Sequence, residues 1–154
     1  MNIDTTNLEK TIREFGNLLV ELNKGKNIVL GGSNALMLHG IRLDRIPEDV
    51  DIILYKPTEA QMGYLESIKD FNMLQESIDL YNETPTVFKF KKYNLTLDIL
   101  IEDKPMPDNL LKFKKGYINI GVQNISNVIS AKSRYSRTKD LKDLLMLKNI
   151  NFNI

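Results

Sequence analysis

Three aspartates carry the densest chemistry in this chain: Asp49 and Asp51 in Glu48-Asp49-Val50-Asp51-Ile52-Ile53, and Asp98 alone inside Leu95-Thr96-Leu97-Asp98-Ile99-Leu100-Ile101. Side chains alternate along a strand with period two, so carboxylates at i and i+2 share a face and can grip one cation together. Burying Asp51 and Asp98 without a partner in apolar strands would be costly, which favours ligation of a hard divalent metal, Mg²⁺ or Mn²⁺. Asp49 can also be read as a turn or cap residue. Upstream, Leu30-Gly31-Gly32-Ser33 turns a short apolar strand into a helix. Backbone N–H groups and the positive helix end at such a turn suit phosphate; Gly31 and Gly32 permit close approach and Ser33 adds a hydroxyl.

Periodicity places the elements that must hold these groups. Leu8, Ile12, Phe15, Leu19 and Leu22 form one stripe of a helix over residues 4–22, capped by Asp4 or Thr5 and stopped by Gly25. Residues 27–30 read as a buried strand, followed by a helix through Ala35, Leu36 and Leu38 that Gly40 ends. Residues 50–55 read as a strand, and Pro57-Thr58 opens a helix reaching about Phe71. A hairpin follows, with strands 86–91 and 95–101 around Lys92-Tyr93-Asn94. A loop over 103–108, a strand-like 116–120 and helices over 125–134 and 138–149 complete the chain.

With 154 residues and 42% hydrophobic content, the chain is sized for one domain: a core of about 28–103 and a basic C-terminal helical segment of about 110–154. No cysteine and a single histidine, His39, argue against thiolate or imidazole metal sites, and His39 itself reads as a packing or surface residue. No membrane span and no signal peptide are evident, so a soluble, cytoplasmic protein is expected. The net charge of +1 hides an asymmetry: residues 1–109 carry 12 Lys and Arg against 18 Asp and Glu, residues 110–154 carry 9 against 2. Either the basic tail faces water, or it folds over the carboxylates and meets phosphate there. The same alternative applies to Lys132 and Arg137 individually. Arg45 can brace the carboxylates or touch a ligand, and Tyr81, Phe88, Phe90, Tyr93 and Phe113 read as core or sheet surface.

Gly31-Gly32-Ser33-Asn34-Ala35-Leu36-Met37-Leu38-His39-Gly40, followed by Arg45-Ile46-Pro47-Glu48-Asp49-Val50-Asp51-Ile52, resembles the nucleotidyltransferase superfamily of the polymerase-β type. The closer likeness is to its small bacterial branch, the AbiEii-type toxins, where Gly-Gly-x-Ala-Leu precedes Arg-x-Ser/Thr-x-Asp-Ile-Asp. Ile129-Ser130-Ala131-Lys132 and Arg137-Thr138-Lys139-Asp140-Leu141-Lys142-Asp143-Leu144 are similar to that branch's Ala-x-Lys and Arg/Lys-Asp-x-x-Asp-Leu helices, so the resemblance spans about residues 28–147. It implies an α+β minimal nucleotidyltransferase fold, a mixed sheet flanked by helices with a short C-terminal helical segment. In it Asp49, Asp51 and Asp98 are the metal-binding catalytic set, Gly32 and Ser33 hold phosphate, Lys132 contacts the triphosphate of an NTP such as ATP, and Asp140 and Asp143 fill recurrent acidic positions. Pro47 departs from the pattern, replacing a Ser or Thr and so removing a hydroxyl and a backbone donor beside the site.

The expected activity is metal-dependent transfer of a nucleoside monophosphate from an NTP to a hydroxyl of RNA, tRNA, protein or a small molecule such as an antibiotic. A toxin or defence role would bring an antitoxin-like partner, and the short tail leaves room for a partner chain or homo-oligomer. The alternative is a nucleotidyltransferase fold kept as a binding or structural module without turnover.

Overall fold

The computed structural model describes residues 4–68, 75–77 and 87–150 of the chain. The expected continuation of a helix to Phe71, the strand start at Thr86 and the reading of Tyr81 lie outside the described residues. The first apolar stripe forms two helices rather than one, α1 (Thr6–Glu14) and α2 (Gly16–Asn23), with Phe15 as the joint at φ −104°, ψ 22°. Thr11 contributes to the break, because its hydroxyl donates to the Asn7 carbonyl (2.8 Å) one turn back, a bond that bends helices. The stripe still works as a unit: Leu8, Ile12, Phe15, Leu19 and Leu22 are all buried in one cluster. At the start of α1 the Asp4 carboxylate takes the Thr6 N–H (3.0 Å), whereas the Thr5 side chain makes no cap.

The strands are β1 (Ile28–Gly31), β2 (Asp49–Tyr55), β3 (Gln75–Ser77), β4 (Val87–Lys92), β5 (Leu95–Glu102), β6 (Leu111–Lys115) and β7 (Ile118–Val122). They form one mixed sheet in the order β3-β4-β5-β2-β1-β7-β6, in which β2–β5 and β1–β7 are parallel and the other pairs antiparallel. Helix α3 (Gly32–Leu38) links β1 to β2 and α4 (Glu59–Ile68) follows β2; α5 (Ile125–Tyr135) and α6 (Thr138–Asn149) follow β7. This is the α+β architecture the sequence implies.

Two strand expectations needed correction. Residues 111–115 form a strand that the lysine-rich Leu-Lys-Phe-Lys-Lys concealed, because lysines suit the exposed edge of a sheet while diluting its apolar alternation. The expected strand at 116–120 sits two residues later, since Gly116 (φ +58°) and Tyr117 make the tight turn between β6 and β7, with Lys115 opposite Ile118. The β4–β5 hairpin forms as expected around Tyr93-Asn94, with Tyr93 at φ +56°.

The two faces of the central strands differ because of the period-two alternation. Val50, Ile52, Leu54, Leu97, Ile99, Phe88 and Phe90 point to one face and pack with the α1–α2 stripe, including an edge-to-face Phe15–Phe90 contact at 6.3 Å. Asp49, Asp51, Ile53, Asp98, Leu100 and Lys89 occupy the alternate positions and line a cleft roofed by α5, the start of α6 and the loop at 104–107.

Candidate active site

The parallel register of β2 on β5 sets Asp51 directly beside Asp98 and Asp49 beside Thr96. Neighbouring strands run about 4.8 Å apart, so two carboxyls from distant parts of the chain are held side by side. Burial, and next the Asp98 charge, push the Asp51 carboxyl up to about 7; Lys139 and Arg137 oppose the rise. Asp98 is 8% exposed and is also raised, first by burial, with Lys89 opposing. Its Oδ1 is buried without a hydrogen bond, and the Lys89 Nζ stands 3.6 Å away. Lys89 was missed in the sequence, although the two-residue hairpin turn dictates its pairing with Asp98. Asp49 faces Lys139, with Nζ 3.6 Å from Oδ2, and its carbonyl accepts from Asn34 Nδ2 at 3.0 Å.

The glycines are required by contact with this floor. Gly32 has φ +64°, a left-handed conformation, and a Cβ there would collide with the Asp51 carboxylate. A Cβ on Gly31 would meet Gln123 Oε1 and Ile53 Cδ1, each at 2.9 Å. The Gly32 N–H donates to Gln123 Oε1 (3.1 Å), so this donor of the expected phosphate turn is satisfied by a residue the motifs did not indicate.

Beside the carboxylates lies a buried ion cluster. Asp143 Oδ2 accepts from Arg45 (2.8 Å), Lys132 Nζ (2.9 Å) and the Ser33 hydroxyl (3.1 Å), and Ser33 Oγ in turn accepts from Lys132 (2.8 Å) and Arg45 (3.2 Å). Lys132 is 5% exposed, which rules out the solvated-face alternative for it; its second carboxylate neighbour is Asp140 at 3.6 Å. Arg45 braces Asp143 rather than the metal-type carboxylates. Arg137 grips Asp140 through Nε (2.7 Å) and a terminal nitrogen (3.2 Å), closing the first turn of α6. Burial raises the Asp140 carboxyl, but Arg137 and Lys132 outweigh it and hold it below the ordinary range.

Gly32, Ser33, Arg45, Asp49, Asp51, Asp98, Lys132, Arg137 and Asp140 thus line a single cleft of about 750 Å³, while Asp143 supports it from behind. That volume lies within the range of small-ligand sites. Among the described residues no three His, Cys, Asp or Glu side chains are grouped so as to hold a metal ion by themselves, and Asp49 Oδ2 lies 3.6 Å from Lys139 Nζ. The pair Asp51–Asp98 nevertheless fits a hard divalent cation: all-oxygen donors, a buried Oδ1 that makes no hydrogen bond and two adjacent acids whose ionised forms lack sufficient counter-charge.

The mixed sheet with its flanking helices is a nucleotidyltransferase fold. The chain is similar in structure to JHP933 from Helicobacter pylori (20% identity, TM-score 0.50, covering 99% of this chain and 71% of that one). It is likewise similar to a putative nucleotidyltransferase, TM1012, from Thermotoga maritima (13% identity, TM-score 0.51, covering 93% and 95%). A third neighbour is ANT(2″)-Ia, solved in complex with adenylyl-2″-tobramycin (13% identity, TM-score 0.51, covering 90% and 88%). No protein-family model and no curated protein sequence matches the chain.

Proposed function

We propose that the chain is a metal-dependent nucleotidyltransferase that moves a nucleoside monophosphate from an NTP to a hydroxyl acceptor. The observation that carries this reading is the side-by-side placement of Asp51 and Asp98 at the floor of a ligand-sized cleft. Asp51 and Asp98 would hold Mg²⁺ or Mn²⁺, with phosphate oxygens completing the shell, as is usual for an ion bound by one or two carboxylates. When bound, the cation offsets phosphate charge and stabilises the entering and leaving oxygens. Asp49, on the same face of β2 as Asp51, would be the third carboxylate of the set.

In the transfer the acceptor oxygen bonds to the α-phosphorus, the bond from that phosphorus to the α–β bridging oxygen breaks, and pyrophosphate leaves. The hydroxyl proton passes to Asp98, whose raised carboxyl and Oδ1 without a hydrogen bond suit a general base. Ser33 and Lys132 lie on the cleft wall where phosphate would rest, and Arg137 and Lys139 at its mouth add positive charge toward the leaving group. An AbiEii-type toxin or defence role, with RNA or protein as acceptor and an antitoxin-like partner, rests on the sequence resemblance. Among the described residues no helix is long and apolar enough to cross a membrane.

Isothermal titration with Mg²⁺ and each NTP, then incubation with α-labelled NTPs and total tRNA or the protein itself, tests the reading. Transfer should fall at least about a hundredfold in Asp49→Ala and Asp98→Ala, the scale of losing a preorganised electrostatic partner. Absence of metal-dependent NTP binding would sink it. Binding without transfer to any acceptor would leave a nucleotide-binding module.

A further inference from the structure

We propose that the α5–α6 corner, Arg134-Tyr135-Ser136-Arg137, is a nucleobase-stacking site on the wall of the cleft; this deepens the transferase reading and rests on it. Tyr135 ends α5, Ser136 turns the chain in the left-handed region (φ 50°), and Arg137 caps α6. The corner therefore gathers two guanidinium groups around one ring: Arg134 Cζ lies 5.1 Å and Arg137 Cζ 5.7 Å from the Tyr135 centroid.

Both arginines already have their charge answered. Arg137 is held on two bonds by Asp140, and the Arg134 guanidinium stands 3.9 Å from Glu102 on the floor. Besides charge, they and the tyrosine offer flat π surface. Aromatic rings and guanidinium planes are the groups on which bases stack.

Position supports the assignment. Tyr135 follows Lys132 by three residues, so it lies on the same side of α5 about 4.5 Å further along the axis. On the floor, Glu102 follows Asp98 on the same face of β5 by four residues, about 13 Å. The cleft that this corner lines also carries the apolar side chains Ile53, Val87 and Leu100. Carboxylates, apolar side chains and a stacking corner within one cleft suit a bound nucleotide. The base could belong to the NTP or to the terminal nucleotide of an RNA acceptor, and the two sources separate by experiment.

The chain contains no tryptophan, so Tyr135→Trp installs a single indole in the full-length protein. Titration with Mg²⁺ plus NTP, or with a short single-stranded RNA, should quench its fluorescence, and Mg²⁺ plus tripolyphosphate should not. By calorimetry, Tyr135→Ala should weaken the base-bearing ligand roughly fivefold to a hundredfold, leave tripolyphosphate unchanged, and be rescued by Tyr135→Phe. Loss for NTP alone identifies the donor base; loss for RNA alone identifies the acceptor. Equal quenching by tripolyphosphate, or Tyr135→Ala binding both NTP and RNA as tightly as wild type, overturns the proposal; if Tyr135→Ala does not fold, the Tyr135→Trp quenching decides. NTP bound at Tyr135 but never transferred would defeat the transferase reading and leave the base site standing. Label transfer with no effect at Tyr135 would do the reverse, and wild type binding neither nucleotide nor RNA would overturn both.

Discussion

Replacing Asp51 by Asn should stabilise the metal-free protein, and only above mildly acidic pH. The Asp51 carboxyl, ordinarily near 3.8, is raised to about 7 in the fold, first by burial and then by Asp98. Between these values the folded state holds a proton that the unfolded chain has released, so stability declines as pH rises from about 4 to about 7 and stays low above it. The shift converts to at most about 4 kcal/mol. Water reaches the carboxyl through the cleft mouth and Asp51 titrates together with Asp98, which brings the expected effect to about 2 kcal/mol. For a chain of this length that is a difference of about 4–8 °C in Tm. Urea and thermal unfolding of wild type and Asp51→Asn, in chelator from pH 4 to 9, should give curves that coincide at pH 4 and separate toward pH 8 with the variant above. Mg²⁺ with an NTP should raise wild type and not the variant. An Asp51→Asn protein less stable than wild type at pH 8, or offset equally at every pH, would refute the account of two buried carboxyls lacking counter-charge.

Two further outcomes follow from the geometry around that pair. Gly32→Ala places a methyl against the Asp51 carboxylate at a residue with φ +64°; it should cost about 1–3 kcal/mol in urea unfolding and abolish metal-dependent NTP binding by calorimetry. Asp143→Ala removes the carboxylate that Lys132 and Arg45 share and should destabilise by about 3–5 kcal/mol in the same assay, whereas Asp143→Asn, which keeps an oxygen acceptor, should cost less.

Much of the chemistry was legible because it depends on local periodicity. The i, i+2 spacing puts Asp49 and Asp51 on one face whatever the strand's neighbours are, and Asp98 was conspicuous as an acid in an apolar strand. Gly31 and Gly32 stood out as a turn. Their tight fit against Gln123, Ile53 and Asp51 was not visible, since those contacts span 92, 22 and 19 positions of sequence. Lys132 was recognisable as a candidate but not as a buried one. Its burial requires Asp143 and Ser33 to arrive from α6 and α3 at once. The first helix was read as continuous because an apolar stripe persists across a bend, and β6 was overlooked because an edge strand can carry lysines without losing its pairing.

The sequence by itself determined which residues are acidic on an apolar strand, where the chain turns on glycine, and that the tail is basic, because these follow from residue type and short-range spacing. Tertiary structure alone decided that Asp51 touches Asp98, that Lys89 and Lys139 serve as the carboxylates' counter-charges, and that Tyr135 joins two arginines on the cleft wall. Such pairings depend on strand register and helix packing between segments far apart in the chain, and no short-range pattern encodes the distance between them.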